Sequence, residues 1–132
     1  MTRQAPEKII IWWWLYEMYT GPFNLFLARN NIELKFPGMA CWRGYYGTWE
    51  IRDKKLFLTN IEAYLDYNNI VGVEYFFSWK KFVLADWFTG TLNIKIRKIP
   101  YPFSVMESMK FLRELHVDIE NGIIVGEEII TD

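Results

Sequence analysis

CWRGYYGTWEI (residues 41–51), RDKK (52–55) and LFLTNIEAY (56–64) read together as a β-hairpin. The outer pieces are apolar and aromatic, the composition of a pleated, half-buried surface. The polar tetrapeptide Arg52-Asp53-Lys54-Lys55 between them is a turn. Successive strand side chains point to opposite faces. Cys41, Arg43, Tyr45, Gly47, Trp49 and Ile51 therefore share one face, and Trp42, Gly44, Tyr46, Thr48 and Glu50 the other. Glycine inside a strand marks a bulge or the close approach of another group. Here Gly44 and Gly47 are expected to make room for rings, with Trp42 and Trp49 packed over neighbouring strands.

Other hairpin signals follow outward from this one. Leu115–Ile119, Glu120-Asn121-Gly122 and Ile123–Ile130 form a second hairpin, since Asn-Gly between alternating runs is a strong local signal. Thr91–Arg97 alternates cleanly, with Leu92, Ile94 and Ile96 on one face, as a half-solvated antiparallel strand does. Phe82–Trp87, Ile32–Phe36 and the short apolar piece Phe23–Ala28 are expected to be strands. Thr20-Gly21-Pro22, Arg29-Asn30-Asn31, Pro37-Gly38 and Asp66–Asn69 are turns. Ile70–Trp79 fits strand or a short helix. So does Ser104–Leu112, where Ser104-x-x-Glu107 is a helix-cap signal. Lys8–Tyr19 is apolar on both faces and suits a covered central strand, Trp12 and Trp14 pointing one way and Trp13 the other. These short segments predict a mainly β fold: an antiparallel sheet, sandwich or partial barrel built from hairpins, with at most one or two short helices.

A chain of 132 residues is expected to be a single domain over 1–132, with 1–6 a loose tail. Hydrophobic residues at 52% and charged residues at 23% place it among ordinary globular chains. The net charge of -1 lacks the basic excess of a nucleic-acid binder, so nucleic acid is disfavoured as a partner. One cysteine, Cys41, allows neither an intrachain disulfide nor a cysteine zinc site, and fits a reducing compartment. The run Ile9–Tyr16 is too short to span a membrane as a helix, and it lacks a signal-peptide cleavage site. A cytoplasmic protein with no membrane association is the expectation.

CWRGYYGTWEIRDKKLFL and FVLADWFTGTLNI together resemble a group of small bacterial proteins of uncharacterised activity. Those proteins carry a W-R-G-Y-x-G-T-W-E-I strand and a later A-D-W-F-[ST]-G-x-L pair. The likeness covers about thirty of the 132 residues in the same order. It implies the hairpin at Cys41–Tyr64 and a bacterial or phage origin, and it implies no activity. The Trp12-Trp13-Trp14 run and Ile70–Trp79 depart from the pattern.

Candidate sites come from polar groups among aromatics. Trp42, Arg43, Tyr45 and Trp49 suggest an aromatic cup in which Arg43 forks an anion. Glu50 and Asp86-Trp87 would complete a polar cluster if the fold gathers them; otherwise Asp86 caps the Thr89-Gly90 turn. Trp12, Trp13, Trp14 and Tyr16 are interface candidates should either face of their strand be open, because exposed aromatic patches mark partner binding. A Cys41–His116 nucleophilic pair is formally available, but no nucleophile motif surrounds Cys41. No residues have metal-ligand spacing, and no phosphate loop or dinucleotide fingerprint is present. No catalytic residue and no cofactor is expected. The reading that follows is a non-catalytic binding protein docking an aromatic-rich face on a protein partner, as an immunity protein or a phage anti-defence inhibitor does. A homodimer through the same face is compatible. The alternative is a β module holding a small anion, such as a nucleotide.

Overall fold

A computed structural model describes residues 6–35, 43–78, 80–96 and 112–131. The strands are β1 (Glu7–Ile11), β2 (Trp14–Met18), β3 (Tyr45–Arg52), β4 (Lys55–Asp66), β5 (Asn69–Val71), β6 (Val83–Leu84), β7 (Gly90–Lys95), β8 (Leu112–Glu120) and β9 (Ile123–Thr131). Helix α1 spans Phe23–Arg29 and α2 spans Val73–Phe76. Seven strands close a barrel in the order β3-β1-β2-β7-β8-β9-β4, with β4 returning to β3. Every neighbouring pair is antiparallel except β1–β3. β5 and β6 pair with β4 outside the ring.

The predicted hairpins are present. Arg52 pairs with Lys55 around Asp53-Lys54, and Glu120 with Ile123 around Asn121-Gly122. Positive φ at both loop residues, 52° and 59° in one and 49° and 84° in the other, makes each a type I′ turn. The register of β3 on β4 shifts between Thr48 and Trp49, so β4 carries an extra residue. This bulge changes which β4 side chains face inward: Leu56 and Leu58 before it, Ile61 and Ala63 after it. The core inside the barrel includes these residues with Ile9, Met18, Tyr45, Trp49, Leu92, Ile94, Val117 and Ile119, and it continues into Phe23, Leu27, Val73, Val83, Ala85, Trp87 and Phe88.

Several expectations are corrected. Phe23–Ala28 is helix, because Phe23, Phe26 and Leu27 share one helical face, and Phe23 and Leu27 are buried. Pro22 precedes it, and Asn30 closes it by donating its backbone and side-chain N–H groups to the Phe26 carbonyl. Asn31 then takes a left-handed φ of 53°. Lys8–Tyr19 is two strands joined by a turn at Trp12-Trp13, since Ile11 pairs directly with Trp14. Phe82–Trp87 keeps only Val83–Leu84 as strand, and the described part of Ile32–Phe36 is not strand. Ile70–Trp79 resolves into the end of β5 followed by α2. Cys41, Trp42, most of the expected 1–6 tail, and most of the Ser104–Leu112 stretch lie outside the described residues.

The two ends of the barrel differ in kind. Parallel β1 and β3 both start at the end where α1 and α2 pack. There Phe23 meets Phe26, Phe76 and Tyr45 at centroid distances of 5.0, 5.2 and 5.4 Å. Phe77 stacks on Trp87 at 5.4 Å. The opposite end carries the Trp12-Trp13 and Asp53-Lys54 turns side by side, because Ile11 pairs with Ile51.

Candidate functional site

The inner face of β3 does not form an open cup. Trp49 and Tyr45 are fully buried in the barrel. Between them stands Glu7, on the neighbouring strand β1 and also buried. Its Oε1 accepts a 2.6 Å bond from Trp49 Nε1, and its Oε2 pairs with Arg43 Nη1 at 2.5 Å. Arg43 Nη2 donates to the Tyr19 carbonyl, and Tyr45 donates its hydroxyl to Asn24 Oδ1 at 2.8 Å. Burial pushes the Glu7 carboxyl up to about 7, against the opposing pull of Trp49 and Arg43. Burial, with the Glu7 charge beside it, raises the Tyr45 phenol too.

The two glycines of the opening stretch fall into place here. A Cβ on Gly47 would stand 2.6 Å from Glu7 Oε1 and 3.0 Å from Trp49 Nε1. The expected room for a ring is room for a carboxylate. Gly44 has φ +83°, and a Cβ there would meet the Lys35 carbonyl oxygen at 2.6 Å. This network closes the α1 end of the barrel from within, and Arg43 is already committed to Glu7. Glu7 escaped the sequence reading because a lone acid at a strand start carries no motif. The interior glycine, which must face something, was the available signal.

The remaining candidates are dispersed. Trp87 is buried and donates its Nε1–H to the Pro22 carbonyl at 2.9 Å. Asp86 is exposed and lines a shallow groove with Lys80, Lys81 and Phe82. Among the described residues no ion pair joins it to Arg43. Glu50 lies on the outer face of β3, where Arg52 donates to its Oε2 at 2.7 and 3.0 Å. Arg43, Glu50 and Asp86 are thus not one cluster. His116 sits on β8 with Nε2 3.2 Å from Glu114 Oε1. Among the described residues no three His, Cys, Asp or Glu side chains could hold a metal. No helix among them is long and apolar enough to cross a membrane.

The tryptophan hairpin is the unusual feature. Trp12 and Trp13 form a two-residue loop with φ 54° and 76°. A type I′ turn needs left-handed backbone at both positions, which Asn-Gly adopts readily. For most L residues that conformation costs ~1–2 kcal/mol each. The two indoles gain little in return: Trp12 is 82% and Trp13 93% exposed. Trp14 continues the inward face of Ile11 and Tyr16, yet it is 47% exposed because the hairpin tip projects past the core. Tyr16 is half-buried against the core. Trp12 and Trp13 wall a groove whose other sides are Glu50–Lys54 and the β9 segment Ile124–Glu127. The groove is open to solvent and holds about 1040 Å³.

Comparison with protein-family models, with curated proteins and with solved structures finds no match to this chain.

Proposed function

We propose that this chain is a non-catalytic binding protein that docks its tryptophan hairpin and the adjoining groove on a protein partner. Its role would be that of an immunity protein or a phage-encoded inhibitor of a bacterial defence protein. The observation that carries the reading is the pair Trp12-Trp13: two large, almost fully exposed rings at positions where the backbone disfavours them. Local strain that ring burial does not fully offset points to a function outside the fold. Exposed tryptophans are also the residues most enriched among binding hot spots. Bacterial or phage origin belongs to the same proposal and leans on the W-R-G-Y-x-G-T-W-E-I likeness. The cytoplasmic setting leans on the single cysteine.

The small-anion alternative is less well supported. It asks for an open Arg43 with a ring of Trp49 beside it, whereas Arg43 is held by Glu7 and Trp49 is buried. The test is capture from bacterial lysate with the tagged full chain, beside a W12N/W13G variant. The expected result is one stoichiometric protein held by the wild type and released by the variant, with unchanged far-UV circular dichroism. Equal capture by both chains, or a co-purifying nucleotide with no protein, would overturn the reading.

A further inference from the structure

Past the pair Lys55–Ile123, β9 has no further pairing with β4. From Val125 to Thr131 it pairs with β8 alone among the described residues. The first part of its other edge borders the groove walled by Trp12 and Trp13. An unpaired edge presents a row of N–H and C=O groups to any extended chain, and strand addition to such an edge is a recurring mode of peptide recognition. This edge carries exposed aliphatic side chains on either side of its centre, Val125 at 61% and Ile129 at 60% exposure.

The centre is Glu127-Glu128, one carboxylate on each face of the strand. Neither forms an ion pair among the described residues. Of the two cations lining the groove, Arg52 is held by Glu50 and lies over the Phe82 ring at 4.8 Å, and Lys54 forms no ion pair among the described residues. A second copy pairing antiparallel and centred on this edge would set glutamate against glutamate, which is destabilising. A strand with cations at its centre gains where the second copy loses, and the exposed indoles beside it favour cations as well. We infer that the β9 edge receives, as an added strand, an extended basic segment of the partner protein. Its Lys or Arg residues lie against Glu127 and Glu128, and its aliphatic residues lie along Val125 and Ile129. This rests on the protein-docking reading above.

The test uses the full chain and three fluorescein-labelled nine-residue probes. One (Lys–Val) carries Lys-Lys at its centre between valines, the second (Glu–Val) carries Glu-Glu there instead, and the third is the Lys–Val probe N-methylated at every amide. The Lys–Val probe is expected to bind by anisotropy and to slow hydrogen exchange of β9 amides. N-methylation is expected to abolish this. An E127K/E128K chain is expected to bind the Lys–Val probe about 10-fold more weakly and to take up the Glu–Val probe instead. Absence of binding, unchanged affinity after charge reversal, or equal binding of the N-methylated probe would overturn the inference. Partner capture separates it from the parent reading. A partner lost by W12N/W13G but kept by E127K/E128K leaves docking intact and removes strand addition. A partner kept by both variants removes both.

Discussion

Replacing Trp12-Trp13 with Asn-Gly sets backbone strain against ring burial. Two left-handed tryptophans at φ 54° and 76° cost about 3 kcal/mol together, and Asn-Gly removes most of that. The buried fraction of the rings is small, 18% and 7% by difference from their 82% and 93% exposure. That corresponds to roughly 60 Å² of apolar contact, or about 1.5 kcal/mol lost at ~25 cal/mol per Å². The added glycine costs a further ~0.7 kcal/mol through its freedom in the unfolded chain. The net expectation is a gain of about 1 kcal/mol, raising Tm by roughly 3–5 °C for a chain of this size. Urea unfolding followed by circular dichroism at 222 nm measures it without relying on tryptophan fluorescence. A loss of about 1 kcal/mol or more would refute the reasoning. It would mean that the indoles hold the fold together, and their exposure would no longer argue for a partner.

The remaining predictions concern the buried network. Glu7 is raised from 4.5 to about 7, so folding favours its protonated form. Its contribution to stability is full below about pH 4.5 and falls by about 3 kcal/mol as pH rises through 7. Equilibrium unfolding of wild type and Glu7→Gln across that range should show the difference between them changing by this amount; a constant difference would contradict it. Gly47→Ala puts a methyl group 2.6 Å from a carboxylate oxygen that Trp49 and Arg43 hold in place. It should cost about 1–3 kcal/mol by urea unfolding, with Glu7→Gln failing to restore it because the amide fills the same space. Gly44→Ala, at φ +83° and against the Lys35 carbonyl, should lower stability by at least ~1 kcal/mol.

The sequence by itself determined the β class and the two polar hairpins. The polar piece Arg52–Lys55 and the Asn121-Gly122 pair mark turns between apolar runs, and the alternation of Leu92 and Ile94 marks an inward face whatever the strand pairs with. These are local properties, so no partner strand is needed to read them. The Trp12-Trp13 turn was hidden for the complementary reason. It contains no Gly, Asn or Pro, and its apolar residues merge with the flanking strands into one run. Only the pairing of Ile11 with Trp14 breaks that run, and only the projection of the hairpin beyond the core makes its rings solvent-exposed. α1 was legible in principle, from Phe23, Phe26 and Leu27 at helical spacing between Pro22 and Asn30, but seven residues rich in aromatics fit a short strand equally well. The meeting of Glu7 with Gly47 and Trp49 was not legible at all. It depends on the parallel pairing of β1 with β3 across some forty residues of chain, and on barrel closure, which takes the carboxylate out of water. Tertiary structure likewise decided which edge stays open. β4 is filled along its outer side by β9, β6 and β5 in turn, and β9, paired with β4 at a single position, keeps an edge beside the tryptophans that no other described strand occupies.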